Sequence, residues 1–373
     1  MSAPDRAAPP RFAFDLAPGA SAPANDRFFS SGQSPGGPTL HLIGPGRVGR
    51  EFLRQLEEQP LPLRLVAVSD ATATAYDRAG LSAAAVLAHK ASGQSLAAWP
   101  GAERLPGDVA IEVIGADLVV DATPSRADAV EAAIARGRAA LRHGACFITC
   151  AKSALATVGS DWLLGNTRGR LGIDAVLGGT GHQLVAELAE LRATASGVAL
   201  VGNATTTTIV TEVEQGASIE QGIEVARQRG LLEPDAALDL DGHDAATKLR
   251  IVAGLLFGEA WTRPPVAEAV RRESVRELDA ELLRARRRCG VTTRLVARAT
   301  RAGDVLAVAF EAVPLGSPLA APPDRVVYTY ELPDAVRVHT GLALGHERTA
   351  SALLGDVRRA LLGRQQPAAE VRP

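Results

Sequence analysis

The chain has 373 residues, 46% hydrophobic and 22% charged, which is enough apolar material for two or three domains. It holds no run of about 18 uncharged apolar residues, which argues against a membrane span, and a formal charge of −2 offers no field for holding nucleic acid. Its three cysteines (Cys146, Cys150 and Cys289) make a disulfide framework improbable, lack zinc-site spacing and fit a reducing cytoplasm.

Residues 1–37 are rich in Pro, Ala, Gly and Ser without periodicity and read as a disordered leader. Asp5, Asp15 and Asp26, with no apolar stretch between them, argue against a signal or transit peptide. From Thr39 onward strand and helix patterns alternate. Strands are expected at Leu40–Ile43, Leu65–Val68, Leu118–Val120 and Ala145–Thr149, and helices at Val48–Glu57 and Ala127–Arg138. This alternation predicts an α/β domain, 38–152, with a parallel sheet covered by helices on both faces. The middle of the chain changes character. Helices are expected at Ala186–Arg192, Ile219–Gly230 and Asp244–Phe257, whereas Val198–Val201 and Thr205–Val210 are β-branched. Arg271 to Arg288 is arginine-rich but also carries Glu273, Glu277, Asp279 and Glu281, so it reads as a solvated helix face. Strand-like segments follow at Thr292–Ala299, Val305–Val313 and Arg325–Glu331. A second α+β domain, 153–340, with a sheet of non-local strands is therefore expected, then a C-terminal segment, 341–363, whose helix returns to the first domain, and a tail, 364–373.

Only three of the 40 basic residues are lysines: Lys90, Lys152 and Lys248. Arginine stays charged at any biological pH, whereas a lysine gives up its proton when its surroundings lower its pKa. The lysines are therefore the first places to look for proton chemistry. Lys90, in Leu87-Ala88-His89-Lys90, reads as a residue left by drift. Cys150, two residues before Lys152, reads as a small thiol at a strand end rather than a nucleophile.

Gly44-Pro45-Gly46-Arg47-Val48-Gly49 fits G-x-G-x-x-G between a strand and a helix. The first glycine permits a tight turn, the second lets the backbone approach a pyrophosphate, and the third lets helix and strand pack closely. The helix N-terminus, at Arg47, Val48 and Gly49, presents free N–H groups to the phosphates. Asp70 ends the second strand, where a carboxylate accepts hydrogen bonds from the ribose hydroxyls and repels a 2′-phosphate. That leans toward NAD, although Arg78 is near enough in sequence to serve NADP. Thr123, after Asp121 at the end of a later strand, is a candidate contact to the nicotinamide half.

The second informative segment runs from Gly230 to Lys248 and carries Glu233, Asp235, Asp239, Asp241 and Asp244. Asp244 and Lys248 stand i and i+4 on one face of a predicted helix. That helix continues Leu249-Arg-Ile-Val-Ala-Gly-Leu-Leu-Phe257 and is apolar enough to be buried, so Lys248 is expected to line an interior cleft. The preceding acids suit an ammonium group on a substrate. A plain helix cap with exposed acids is the alternative.

These residues carry a resemblance to the homoserine dehydrogenases, NAD(P)-dependent enzymes that interconvert L-homoserine and L-aspartate 4-semialdehyde in biosynthesis leading to threonine and methionine. It spans about residues 39–360. Gly230 to Lys248 parallels the family's Gly, aromatic, x-Glu-x-Asp-Pro, Asp-x-x-Gly-x-Asp-x-x-x-Lys stretch, and Thr149-Cys150-Ala151-Lys152 parallels its Thr-x-Asn-Lys. The resemblance implies a Rossmann-type domain joined to a substrate and dimerisation domain, a cytoplasmic homodimer, and NAD or NADP as cofactor. It places Lys248, Lys152 and Asp244 in catalysis, Glu233, Asp239 and Thr205 on the substrate, and Lys152 and Gly345 beside the cofactor. It also implies a structural Na+ or K+ near Asp174, Leu177 and Gly179. The chain departs from the family at Asn203-Ala204-Thr205-Thr206-Thr207 and at Asp174-Ala175-Val176-Leu177-Gly178-Gly179-Thr180-Gly181-His182, and too little sequence follows Leu362 for the ACT domain that many members carry. A dehydrogenase of another hydroxy-amino acid or amino-aldehyde, and a non-catalytic dinucleotide-binding protein, are the alternatives.

Overall fold

The computed structural model describes residues 37–157, 170–232, 240–258, 270–303, 306–342 and 345–365. Most of the expected leader and tail, and both Glu233 and Asp239, lie outside the described residues.

The β-branched and leucine-rich runs of the first third form β1 (Thr39–Ile43), β2 (Arg64–Ser69), β4 (Leu118–Asp121) and β5 (Cys146–Thr149). Two short strands complete this sheet, β3 (Thr74–Tyr76) and β6 (Leu171–Gly172). The order is β3-β2-β1-β4-β5-β6, parallel except for β3. Alternate side chains serve the two faces. Leu40 and Leu42 pack with Phe52 and Leu53 of α1 (Arg47–Glu58) and with Leu353 and Val357 of α11 (Gly345–Gln365). Ile43 and Val119 face Ile111 of α3 (Gly107–Ile114) and Leu141 of α4 (Val130–Arg142) on the other side. The strand order reverses between β1 and β4, so the crevice at the carboxyl ends of those strands is where a ligand of such a sheet sits.

The second sheet is built from β7 (Gly197–Val201), β8 (Arg271–Arg272), β9 (Val291–Thr300), β10 (Leu306–Pro314), β11 (Arg325–Glu331) and β12 (Val336–Leu342), in the order β12-β11-β7-β9-β10-β8. As expected, non-local pairs build it: β7 lies between β9 and β11, while β9–β10 and β11–β12 are consecutive antiparallel pairs. Leu200, Leu295 and Tyr328 on one face meet Leu184 of α6 (Gly181–Thr194), Ile209 of α7 (Ala204–Glu214) and Leu249 and Val252 of α9 (His243–Phe257). Residues Ile219–Gln228 form α8.

Some details differ from the expectations. β6 belongs to the first sheet although it lies past the boundary expected at 152. Thr205–Val210, although β-branched, is helical. Asn203 caps it through Thr206 N (2.8 Å), and the Thr206 and Thr207 hydroxyls bond back to the Asn203 carbonyl, so local side-chain bonds outweigh strand propensity. Arg271–Arg288 is not one helix face: it opens with β8 and becomes helical only at α10 (Ala280–Arg288), capped by Asp279.

Candidate active site

The glycine turn supplies the three properties asked of it. Gly44 has φ 83°, open to glycine at little cost, and a Cβ there would lie 2.9 Å from Thr123. A Cβ on Gly49 would lie 2.2 Å from the Gly44 carbonyl, so helix and turn touch because neither has a side chain. Around Gly46 nothing lies within 4 Å of a Cβ position, so the backbone is open to an incoming phosphate. α1 begins at Arg47, with Val48 and Gly49 in its first turn, and no acid stands there to compete for the free N–H groups. These residues fit a dinucleotide.

At the end of β2, Asp70 is bound from within. Its Oδ1 accepts from Thr72 N (2.9 Å), Thr72 Oγ1 (2.6 Å) and Ala73 N (3.2 Å), and its Oδ2 accepts from Leu96 N (2.8 Å) and Lys90 Nζ (2.9 Å). Burial opposes the charge, but these donors together hold the Asp70 carboxyl well below the usual carboxylate range. Lys90, read from sequence as drift, pairs with the acid that follows β2 (2.9 Å). Thr123 is likewise engaged, its N and Oγ1 donating to Asp121 (3.0 and 2.6 Å) while Arg136 donates to both Thr123 Oγ1 (2.8 Å) and Asp121 (2.9 Å). Its backbone carbonyl accepts from Cys150 Sγ (3.9 Å), so Thr123 is engaged at all three polar atoms. Burial and the charge of Asp121 push the Cys150 thiol up to about 12, which removes it as a nucleophile at neutral pH.

The two remaining lysines meet at one carboxylate. Lys152 opens α5 (Lys152–Thr157) just beyond β5, and its backbone N donates to Ser125 Oγ (2.7 Å). Its Nζ lies 2.7 Å from Asp244 Oδ1. Lys248, one turn along α9 from Asp244, reaches Oδ2, also at 2.7 Å. The Lys248 ammonium donates again to the Gly202 carbonyl at 2.6 Å, in the turn between β7 and α7. A Cβ on Gly202 would crowd Val326 (3.1 Å) and lie at ordinary contact distance from Lys248 Nζ (3.8 Å). Lys248 is 8% exposed and Lys152 26%, so one amine is sunk in the second domain and the other reaches over from the first with a path to the cleft. Burial works against the Asp244 charge, but the two lysines outweigh it and hold its pKa well below the usual carboxylate range. A Lys ammonium has three donors, and among the described residues Lys248 uses two, leaving one for a substrate oxygen.

Two contributors escaped the motif reading. The Gly202 carbonyl carries no sequence signal. Tyr328 on β11 is fully buried, its hydroxyl finds no hydrogen-bond partner among the described residues, and burial with the charges of Tyr330 and Asp244 raises its pKa. Thr205, expected on the substrate, gives its hydroxyl to the Leu231 carbonyl (2.8 Å), so it braces the segment that leads to Glu233. Gly345 has φ 64° and starts α11.

The residues expected to hold an alkali cation do not fit one. Asp174 Oδ1 accepts from the backbone N (3.1 Å) and Nδ1 (2.8 Å) of His182, and Oδ2 accepts from Arg359 (2.6 Å). The Leu177 carbonyl is taken by Thr180 Oγ1 (2.8 Å), and Gly179 N donates to the Asp174 carbonyl (2.8 Å). Both oxygens of the one charged ligand of the expected set are thus already engaged by protein donors, one of them a guanidinium that supplies the positive charge.

Comparison with known proteins agrees with the geometry. A model described as homoserine dehydrogenase matches residues 184–357, and one described as homoserine dehydrogenase, NAD binding domain, matches residues 44–166. The NAD(+)-dependent homoserine dehydrogenase of Pseudomonas canavaninivorans is 27% identical over 337 residues, 85% of this chain and 94% of that protein. The homoserine dehydrogenase of Methanocaldococcus jannaschii is 25% identical over 85% of this chain and 96% of its own length. A hyperthermophilic archaeal homoserine dehydrogenase solved with NADPH shares the fold, with a TM-score of 0.68 at 22% identity over 87% of this chain and 98% of that one. Both halves of the chain thus answer to a single description, and the chain belongs to the homoserine dehydrogenase family.

Proposed function

We propose that the chain interconverts L-homoserine and L-aspartate 4-semialdehyde at the Asp244 cluster. One observation carries this reading: a single carboxylate 2.7 Å from two lysine amines that arrive from different domains, beside the carboxyl ends of the nucleotide-binding strands. The bound dinucleotide supplies or accepts the hydride. In the reducing direction negative charge grows on the aldehyde oxygen. Lys248, held by Asp244 and the Gly202 carbonyl, directs its remaining N–H at that oxygen and gives up a proton as the alcohol forms. Lys152, the more exposed amine, stabilises the same oxygen or a water beside it and keeps Asp244 ionised. Glu233 and Asp239 receive the substrate's ammonium group, and Thr205 acts by positioning their segment.

For the cofactor we favour NAD over NADP because Asp70 stays ionised at the end of β2, where a carboxylate disfavours a 2′-phosphate; its pairing with Lys90 weakens that preference. The curated Pseudomonas relative is named for NAD(+), whereas the archaeal structure holds NADPH, so the comparison alone leaves both in play. A homodimer through the second sheet and a cytoplasmic setting complete the reading. Among the described residues no helix is long and apolar enough to cross a membrane.

Steady-state oxidation of L-homoserine with each dinucleotide, beside a panel of other hydroxy-amino acids, tests this. The expected result is a kcat/KM for homoserine at least about tenfold above the panel, a difference of about 1.4 kcal/mol in transition-state binding. Preference for another hydroxy-amino acid would reassign the substrate. Dinucleotide binding with no turnover anywhere in the panel would leave a non-catalytic module. Light scattering of the purified protein reads the oligomer.

A further inference from the structure

The joint between the two domains contains a second cluster of acids and a cation, which the reaction does not use. Asp356 on α11 points at β6. It comes this close because residue 172 is glycine, where a Cβ would lie 2.8 Å from the Cβ of Asp356. Its Oδ2 accepts from Asp174 N (2.9 Å), and Asp174 belongs to the turn that leads into α6. Both carboxylates are almost wholly buried. Arg359, one turn beyond Asp356, bridges them: its guanidinium lies 2.6 Å from Asp174 Oδ2 and 2.8 Å from Asp356 Oδ1. His182, at the start of α6, donates to the other Asp174 oxygen. The turn is tight on its far side as well, where a Cβ on Gly341 would lie 2.1 Å from the Gly178 carbonyl. Helix α11 packs on α1 through Gln55, which meets Glu347 and Ser351. The cluster therefore ties the C-terminal helix, the edge of the nucleotide sheet and the first turn of the second domain.

We propose that the Arg359 guanidinium is the built-in structural cation of this joint, doing with a covalently attached charge what a bound alkali ion would otherwise do between Asp174 and Asp356. Two buried carboxylates this close need a positive partner. A guanidinium supplies it as a planar fork that never loses its charge, and it occupies the oxygen an ion would need. A cleft of about 430 Å³ lined by Arg170, His182, Asp356 and Arg359 opens beside it. Solvent ions therefore have a route to the two acids once the arginine side chain is shortened.

Thermal unfolding of the full chain in NaCl, KCl or choline chloride at equal ionic strength, about 0.2 M, tests this without reference to catalysis. Wild type is expected to melt within about 1 °C in all three salts. Arg359→Met is expected to melt lower in choline and to recover by about 3 °C or more in Na+ or K+, saturably, because its vacated site now binds an ion. Arg359→Lys keeps a fixed positive charge and should stay nearly indifferent to the salt. A saturable rise of the wild-type melting temperature with one alkali ion would overturn the proposal, and so would an Arg359→Met variant that melts alike in every salt. If Arg359→Met does not fold in choline, folding restored by an alkali ion supports the assignment, and failure in all three salts counts against it.

Discussion

The molecule bridges its two domains twice with carboxylates and cations, and the two bridges are built from different bases. At the cleft, Asp244 is shared by Lys152 and Lys248. At the joint, Asp174 and Asp356 share Arg359. In a chain that writes arginine for 37 of its 40 basic residues (40 less the three lysines), the cleft carries lysines, which can give up a proton, and the joint carries an arginine, whose charge stays. The distances are alike and the electrostatic task is alike. What separates the bridges is whether the cation can exist in a second protonation state. On the proposed mechanism, the choice of base rather than the presence of an ion pair separates the two bridges.

The sharpest way to break this contrast is to write the joint's base into the cleft. Lys248→Arg preserves the positive charge beside Asp244 but cannot release a proton at working pH. Its kcat should fall about a thousandfold, on the order of 4 kcal/mol in the barrier, while the melting temperature moves by only a few degrees. Retention of wild-type kcat would remove Lys248 from proton transfer and leave the contrast without meaning. Asp244→Asn comes next. It keeps the shape but leaves two ammonium groups facing an amide, and kcat should fall about a hundredfold because Lys248 loses the carboxylate that aims it. Lys152→Arg, at the more exposed amine, should cost about tenfold in kcat/KM if Lys152 supports charge rather than moving the proton. A larger loss for Lys152→Arg than for Lys248→Arg would exchange the two roles.

Much of the cleft was legible in the sequence, for physical reasons. A glycine turn between a strand and a helix has few uses, and an acid and a lysine at helical spacing ahead of an apolar helix must face inward together. What could not be read was pairing across the fold. Nothing local to Lys90 announces that it will meet Asp70, because the contact depends on how α2 (Ala83–Ala91) lies against β2. Gly202 carries its message in a carbonyl, which every residue owns. The cation expectation at Asp174, Leu177 and Gly179 failed at Asp174 because the competing donor, Arg359, stands 185 residues away. The Thr205–Val210 run misled in the opposite sense: its composition suits a strand, but Asn203 and the threonine hydroxyls cap and back-bond a helix.

The smallest expected effect separates the bridges by the sign of their pH dependence. Asp244 has its pKa lowered on folding, so the stability it contributes is present above the unfolded carboxylate value and is lost as pH falls through and below it. Asp356 goes the other way. Burial, with the negative charge of Asp174, raises it to about 6 in the folded state, against 3.8 for the free group. The folded chain thus holds a proton at Asp356 that the unfolded chain has already lost, and its contribution falls as pH rises from about 4 to about 6. Above that window Asp356 is ionised in both states and the cost is constant. Asp356→Asn removes the titration. The difference in urea midpoint between this variant and wild type should therefore shift in the variant's favour across pH 4 to 6 and stay flat from 6 to 8. The same experiment on Asp244→Asn should show wild type gaining on the variant, with its steepest change in the most acidic part of the range. Parallel curves for the two variants would mean that Arg359 holds its acids as firmly as the lysines hold theirs, and the difference between the bridges would then reduce to proton release alone.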